Sequence, residues 1–271
     1  MRVSGARTLV TGASSGIGAE IARELARKGA QPILVARRAE KLEALASELR
    51  DGGAAVEVEP CDLGDDAEIA RLAEQLLAGA GAPDIVINNA GAGIWRAIDE
   101  TEAGYATEAM RLPYLAAYEL TRLLVPAMIE RGSGWILNMT SAAGFMTIPG
   151  ATAYGTARWA MRAFSYQLEA DLRGTGVGVT LLTPFEVDSP YFDTNPGSRE
   201  RIPKIARLIG DMTPEDVGRE AVAAIERERR QWMIPWRGRW LYRTTPAPIM
   251  RRLLRITGWR RRQPTRPSAG A

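Results

Sequence analysis

The stretch Thr11-Gly12-Ala13-Ser14-Ser15-Gly16-Ile17-Gly18 has the residue types and spacing to hold a phosphate. It follows an apolar run from Arg7 to Val10 and precedes Ile17, Ile21 and Leu25, spaced four apart as on one helix face. Glycines in a strand-to-helix turn let backbone N–H groups and the positive helix end approach an anion, and a side chain there would block the approach. A tight turn with positive φ demands glycine too, so the G-x-x-x-G-x-G spacing alone leaves both uses open. The next apolar run, Pro32 to Ala36, ends on Arg37-Arg38, where an NAD-binding crossover places an acid for the ribose hydroxyls. Two guanidinium groups suit a 2′-phosphate, which predicts NADP(H) in preference to NAD(H). The chain has no histidine, which excludes histidine-based triads and histidine-ligated zinc. Proton transfer has to use other groups.

The elements that must position these groups follow in order. The helix after the glycine turn ends at Gly29, and Pro32 to Ala36 completes a β-α-β unit, which implies a parallel sheet with a right-handed crossover. Apolar runs at Val56–Val58, Ile85–Ile87, Gly134–Met139, Val177–Leu182 and Trp232–Ile234 read as further strands. Helical patterns lie between them at 40–50, 67–77, 103–129, 151–172 and 213–229, the last opened by the capping sequence Thr213-Pro214-Glu215-Asp216. Asp62 falls just past the third strand, at the sheet end where open parallel sheets bind ligands. With 271 residues and no internal linker, the chain predicts one α/β domain over 1–235, a basic extension over 236–262 and a disordered tail over 263–271.

Five markers fall in one order: TGASSGIG at 11–18, Asp62, NNAG at 88–91, Ser141 after the fifth strand, and Tyr154 about one turn into the next helix. In this the chain resembles the short-chain dehydrogenase/reductase family over roughly residues 5–235. The resemblance implies a single Rossmann-type, doubly wound parallel sheet of about seven strands with helices on both faces. It implies a cofactor held by Gly12, Ser14, Ser15, Gly16, Ile17 and Gly18, by Arg37, Arg38, Asp62 and Leu63, and by Asn89, Ala90 and Gly91, with Pro184, Val187 and Ser189 at the nicotinamide end. Ser141 would hold the substrate oxygen, and Tyr154 would be the acid or base as hydride passes between nicotinamide and a carbonyl or alcohol carbon. A free phenol ionises near pH ~10, so work near neutrality needs a positive charge close by. The family supplies it from a lysine four residues after the tyrosine, on the same helix face.

Here that residue is Arg158, which keeps the charge on a larger, planar and permanently protonated group. Tyr154 and Arg158 would both also touch the cofactor. Pro113 stands where the family has a helix asparagine that helps position a water, and Phe185-Glu186 follow Pro184 where a glycine is usual. Glu186 could pair with Arg158 or face solvent. Two readings stay open: an NADP-dependent oxidoreductase acting on an apolar carbonyl or alcohol, or a cofactor-binding protein without redox turnover.

Trp95, Phe145, Met146, Ile148, Tyr191 and Phe192 are expected around the substrate mouth, with a lid at 190–210. The formal charge of +3 conceals an asymmetry, because residues 229–271 carry 12 arginines and no acid while residues 1–228 are net −9. A general nucleic-acid binder would not be built so. Between Pro248 and Gly258 the arginines and apolar residues segregate as on an amphipathic helix, suited to a membrane surface through 241–262, to the pocket or to another subunit. A single cysteine, Cys61, and the lack of a long apolar stretch predict a cytoplasmic protein, and the resemblance implies a homodimer or homotetramer.

Overall fold

The computed structural model describes residues 1–259; the expected tail at 263–271 lies outside the described residues. Seven strands form one sheet: β1 Arg7–Thr11, β2 Gln31–Ala36, β3 Glu57–Pro60, β4 Ile85–Asn88, β5 Gly134–Met139, β6 Val177–Pro184 and β7 Gln231–Ile234. Their spatial order is β3-β2-β1-β4-β5-β6-β7, with every neighbouring pair parallel. The strands are apolar runs because both faces are covered. Successive residues alternate between the faces: Val10, Leu34, Ile87 and Leu137 enter one core, and Leu9, Ile33, Val86 and Ile136 enter the other.

Helices α1 Gly16–Arg27, α2 Ala39–Asp51 and α7 Pro214–Glu226 cover the first face. Ile21 and Leu25 of α1 are fully buried there, and Gly218 lets α7 approach so closely that a Cβ would come within 2.8 Å of the Glu20 carbonyl oxygen. On the second face lie α3 Asp66–Ala78, α5 Ala117–Arg131 and the C-terminal half of α6 Thr152–Asp171. A buried polar chain ties the central elements together. Asn88 donates to Thr121 Oγ1 at 3.1 Å and to Asn138 Oδ1 at 2.8 Å, and Asn138 donates to Ser165 Oγ at 3.0 Å. Each contact satisfies polar groups that would be costly to bury alone.

The helical region expected over 103–129 is present without a break from Tyr105 to Arg131, but it is not α-helical throughout. It consists of α4 Tyr105–Met110, a wider π-helical turn at Arg111–Ala116, and α5. Pro113 lies inside that turn and is buried. Proline has no N–H to donate and clashes with the preceding turn, and the wider winding is a known way to absorb both. After β7 the chain forms α8 Trp236–Thr244 and α9 Ala247–Thr257. Met250 and Leu254 of α9 are buried with Phe145, Met146, Leu181 and Met233. The extension is therefore packed onto the domain.

Candidate active site

The strand order reverses between β1 and β4, and such a switch point opens a crevice at the carboxyl ends of the strands. A cavity of about 750 Å3 occupies it. All the cofactor-site and catalytic residues expected from the sequence line this one cavity, from Arg37 and Arg38 at one end to Ser141, Tyr154, Arg158 and Ser189 at the other.

The glycine turn and the loop after β4 form one unit. Thr11 Oγ1 accepts from the backbone N–H of Asn89 at 2.9 Å and of Ala90 at 3.0 Å, and Asn89 Nδ2 donates to the Thr11 carbonyl at 2.9 Å. Gly16 has φ +55°, and a Cβ on Gly18 would lie 2.2 Å from the Gly12 carbonyl oxygen. No larger residue fits at 18. Arg38 donates to Ser14 Oγ at 3.1 Å and Ser15 Oγ at 3.3 Å, which brings a guanidinium over the turn. Arg37 and Lys41 add two more exposed cations to this end of the cavity. Lys41 stands four residues after Arg37, in the first turn of α2. The residues present thus fit a dinucleotide, with its phosphates over the glycine turn.

Asp62 caps its own loop, accepting from Gly64 N–H at 2.9 Å, and Glu68 accepts from Asp62 N–H at 2.7 Å. Cys61 beside it is 2% exposed, and burial pushes its thiol up to about 11.

At the other end, Ser141 Oγ accepts from Ala143 N–H at 3.3 Å and starts the short turn Ala142–Gly144. Tyr154 is 7% exposed, with its ring centre 5.1 Å from that of Trp95 and 6.2 Å from that of Tyr191. Arg158 is 6% exposed, and its Cζ lies 5.1 Å from the centre of the Tyr154 ring. Its Nη1 reaches the Met139 carbonyl at 3.4 Å, while Nε has no hydrogen-bond partner among the described residues. The guanidinium rests on Gly91, where a Cβ would come within 2.6 Å of Nη2. Glu186 does not pair with it. Glu186 is half-buried near Asp211, Arg199 and Arg207, and burial raises its carboxyl above the ordinary range.

One expectation about the mouth needs correction. Phe145 does not line the cavity; its ring packs against Tyr242 and under the Arg162 guanidinium, 4.0 Å away. Trp95, Met146, Ile148, Tyr191 and Phe192 do line it, joined by Leu241, Met250 and Leu254 of the C-terminal helices. Phe185, in place of the family's glycine, sits against Gly238 of α8, where a Cβ would come within 2.5 Å of its ring. Residues of the segment 190–210 are tied to the loop after β4: Tyr191 donates to the Gly93 carbonyl at 2.5 Å, Gly93 N–H to Asn195 Oδ1 at 3.3 Å, and Trp95 N–H to Ser198 Oγ at 2.9 Å. Burial, with Tyr154 alongside, pushes the Tyr191 phenol up. No local sequence signal marked these ties.

A dinucleotide-type sheet with a serine and a tyrosine at the far end of its crevice is an oxidoreductase architecture. Residues 6–198 match the family model described as short chain dehydrogenase, and the chain belongs to the short-chain dehydrogenase/reductase family of oxidoreductases. It is 33% identical over 225 residues to a fatty acyl-CoA reductase of Acinetobacter baylyi, covering 82% of this chain and 74% of that one. It is similar in structure to a short-chain dehydrogenase of Sphingobium yanoikuyae in complex with NADPH, at 29% identity and TM-score 0.77, covering 87% of this chain and 91% of that one. A bulky-bulky ketone specific alcohol dehydrogenase of Comamonas testosteroni superimposes with TM-score 0.73 at 27% identity, covering 85% and 86%.

Proposed function

We propose that the protein is an NADP(H)-dependent oxidoreductase that interconverts an apolar carbonyl compound and its alcohol. The observation that carries this is the shared cavity, in which a cationic end built from Arg37, Arg38 and Lys41 leads past the glycine turn to Ser141, Tyr154 and Arg158 and then to apolar walls. The bound cofactor would supply or accept the hydride.

The chain's own residues do the rest. Arg37, Arg38 and Lys41 hold a 2′-phosphate, Asp62 and Leu63 bound the adenine end, and Asn89 to Gly91 line the middle of the groove. Ser141 donates to the substrate oxygen, and Tyr154 gives that oxygen a proton or takes one from it. Arg158 places a permanent positive charge beside the ring, where it stabilises negative charge developing on the phenol oxygen. Met146, Ile148, Leu241, Met250 and Leu254 exclude water and favour an aliphatic or ring-containing substrate. The substrates for which these two relatives are named, a fatty acyl-CoA and bulky ketones, are consistent with such walls.

Self-association is part of this reading. Tyr118 of α5 and Trp159 and Tyr166 of α6 are exposed large residues that a second copy would cover. Ala116, Ala117 and Ala157 of the same helical segments are buried within the protomer. The test of function is NADPH consumption against a panel of apolar ketones, aldehydes and acyl thioesters, run beside a cofactor titration. Turnover that disappears in Tyr154→Phe supports the reading. Tight NADPH binding with no turnover on any member of the panel would replace it with the binding-only alternative.

A further inference from the structure

The C-terminal helices have two unlike faces. The inner one, with Leu241, Met250 and Leu254, roofs the cavity. On the outer one, Trp236 and Trp240 stand one turn apart on α8, 63% and 62% exposed, and Ile249 of α9 is 52% exposed. Among and beside them lie exposed Arg237, Arg243, Arg251, Arg252 and Arg255. The stretch 236–259 contains no carboxylate of its own, although residues 1–228 are net −9. An ordinary solvated helix face would mix signs and would not expose two indoles.

We propose that α8 and α9 dock the protein on an anionic lipid surface. Indole rings favour the boundary between headgroups and acyl chains, and arginines reach past an apolar stem to anionic headgroups. A cationic helix with aromatic and aliphatic residues between its charges lies in that boundary plane and does not span it. No described helix is long and apolar enough to cross a membrane, which agrees with docking from one side. Charge complementarity selects this occupant. The acidic body is repelled by the surface that attracts the arginines, so one orientation is favoured. A partner offering only phosphates would leave Ile249 and both indoles in water. If the proposed function holds, the roof of an apolar cavity would also rest on the phase in which an apolar substrate dissolves.

The test uses the full chain without cofactor or substrate, so that its outcome is independent of the proposed reaction. Co-sedimentation is measured with phosphatidylcholine vesicles and with vesicles that also contain phosphatidylglycerol. Binding is expected only to the anionic vesicles and should weaken as salt is raised. The Arg251→Glu, Arg252→Glu, Arg255→Glu variant should bind at least about tenfold more weakly, since each arginine near an anionic surface contributes a comparable favourable increment. Trp236→Ala with Trp240→Ala should weaken binding while preserving salt sensitivity. Retained NADPH binding and an unchanged circular dichroism spectrum would show that both variants are folded. No binding to anionic vesicles, or binding indifferent to both variants, would overturn the proposal. So would duplex DNA that competes the protein off the vesicles, or a dimer that dissociates in the tryptophan variant and does not bind vesicles.

Discussion

The guanidinium carbon of Arg158 lies 5.1 Å from the centre of the Tyr154 ring, and both side chains are more than nine-tenths buried. No carboxylate pairs with that cation among the described residues, and its Nε is unpartnered. An uncompensated buried charge costs stability, and here the cost falls beside the residue proposed to move a proton. Arg158→Met should therefore leave stability unchanged or raise it by up to about 2 kcal/mol. Turnover and NADPH affinity should both fall. Thermal melts and steady-state kinetics on the same preparation would check this, and a variant that lost stability along with activity would argue for a purely structural arginine.

Cofactor preference should follow the cationic end of the groove. Charge-assisted hydrogen bonds contribute roughly 1.5–3 kcal/mol each, so Arg37→Asp with Arg38→Ala should weaken NADPH by at least about tenfold and favour NADH. Fluorescence titration of both cofactors measures the switch. Equal affinities in the unaltered protein would show that these arginines do not read the 2′-phosphate.

Gly18→Ala should abolish cofactor binding and lower the melting temperature, because its Cβ would have to occupy space 2.2 Å from the Gly12 carbonyl oxygen. Gly53→Ala is the control. Its φ of +87° strains a side chain, but none of the described residues lies within 4 Å of the added Cβ. It should cost about 1 kcal/mol or so and leave NADPH binding intact.

Cys61 should resist thiol reagents near neutral pH until the protein unfolds. Its thiol ionises at about 11 in the fold, against 9.0 for an ordinary group, with burial as the main cause. The fold therefore favours the protonated form. The associated stability is fully present below pH 9.0 and is lost as pH rises through about 11. Urea melts of the unaltered protein and Cys61→Ala across that range should converge or cross as pH rises, and modification by a disulfide reagent should track unfolding.

Leu254→Ala removes a buried contact of the roof and should cost about 2–4 kcal/mol where the roof is coupled to global unfolding. Its effect on catalysis should appear in KM for long apolar substrates, with NADPH affinity unchanged, because Leu254 lines the far end of the cavity from Arg37 and Arg38. Kinetics with a series of chain lengths would check this.

Strand positions and the cofactor groove were legible because they depend on local patterns: buried runs, glycines at a turn, and the charge at one strand end. β5 was predicted at its observed bounds, Gly134–Met139. Pro113 shows where local reading stops, since a proline within helical periodicity can end, kink or widen a helix, and packing decides among these. Phe145 and Met146 make the same point at the mouth. They are adjacent in sequence, and the short turn begun at Ser141 leaves only the second facing the cavity. The ties from the segment 190–210 to Gly93 and Trp95 join residues about 100 positions apart through ordinary asparagine, serine and tyrosine side chains, which carry no signature in one sequence.

The contact between Gly91 and the Arg158 guanidinium also bears on the order in which this site can change. Any residue larger than glycine at 91 forces the guanidinium to move, and the arginine has the Met139 carbonyl and the Tyr154 ring as its other neighbours. Exchange of Arg158 for a slimmer cation is a single step that leaves 91 untouched. Enlargement at 91 is accommodated more readily after that step, because while arginine remains the far end of its side chain has to shift. Glycine at 91 thus keeps the choice of cation at 158 open.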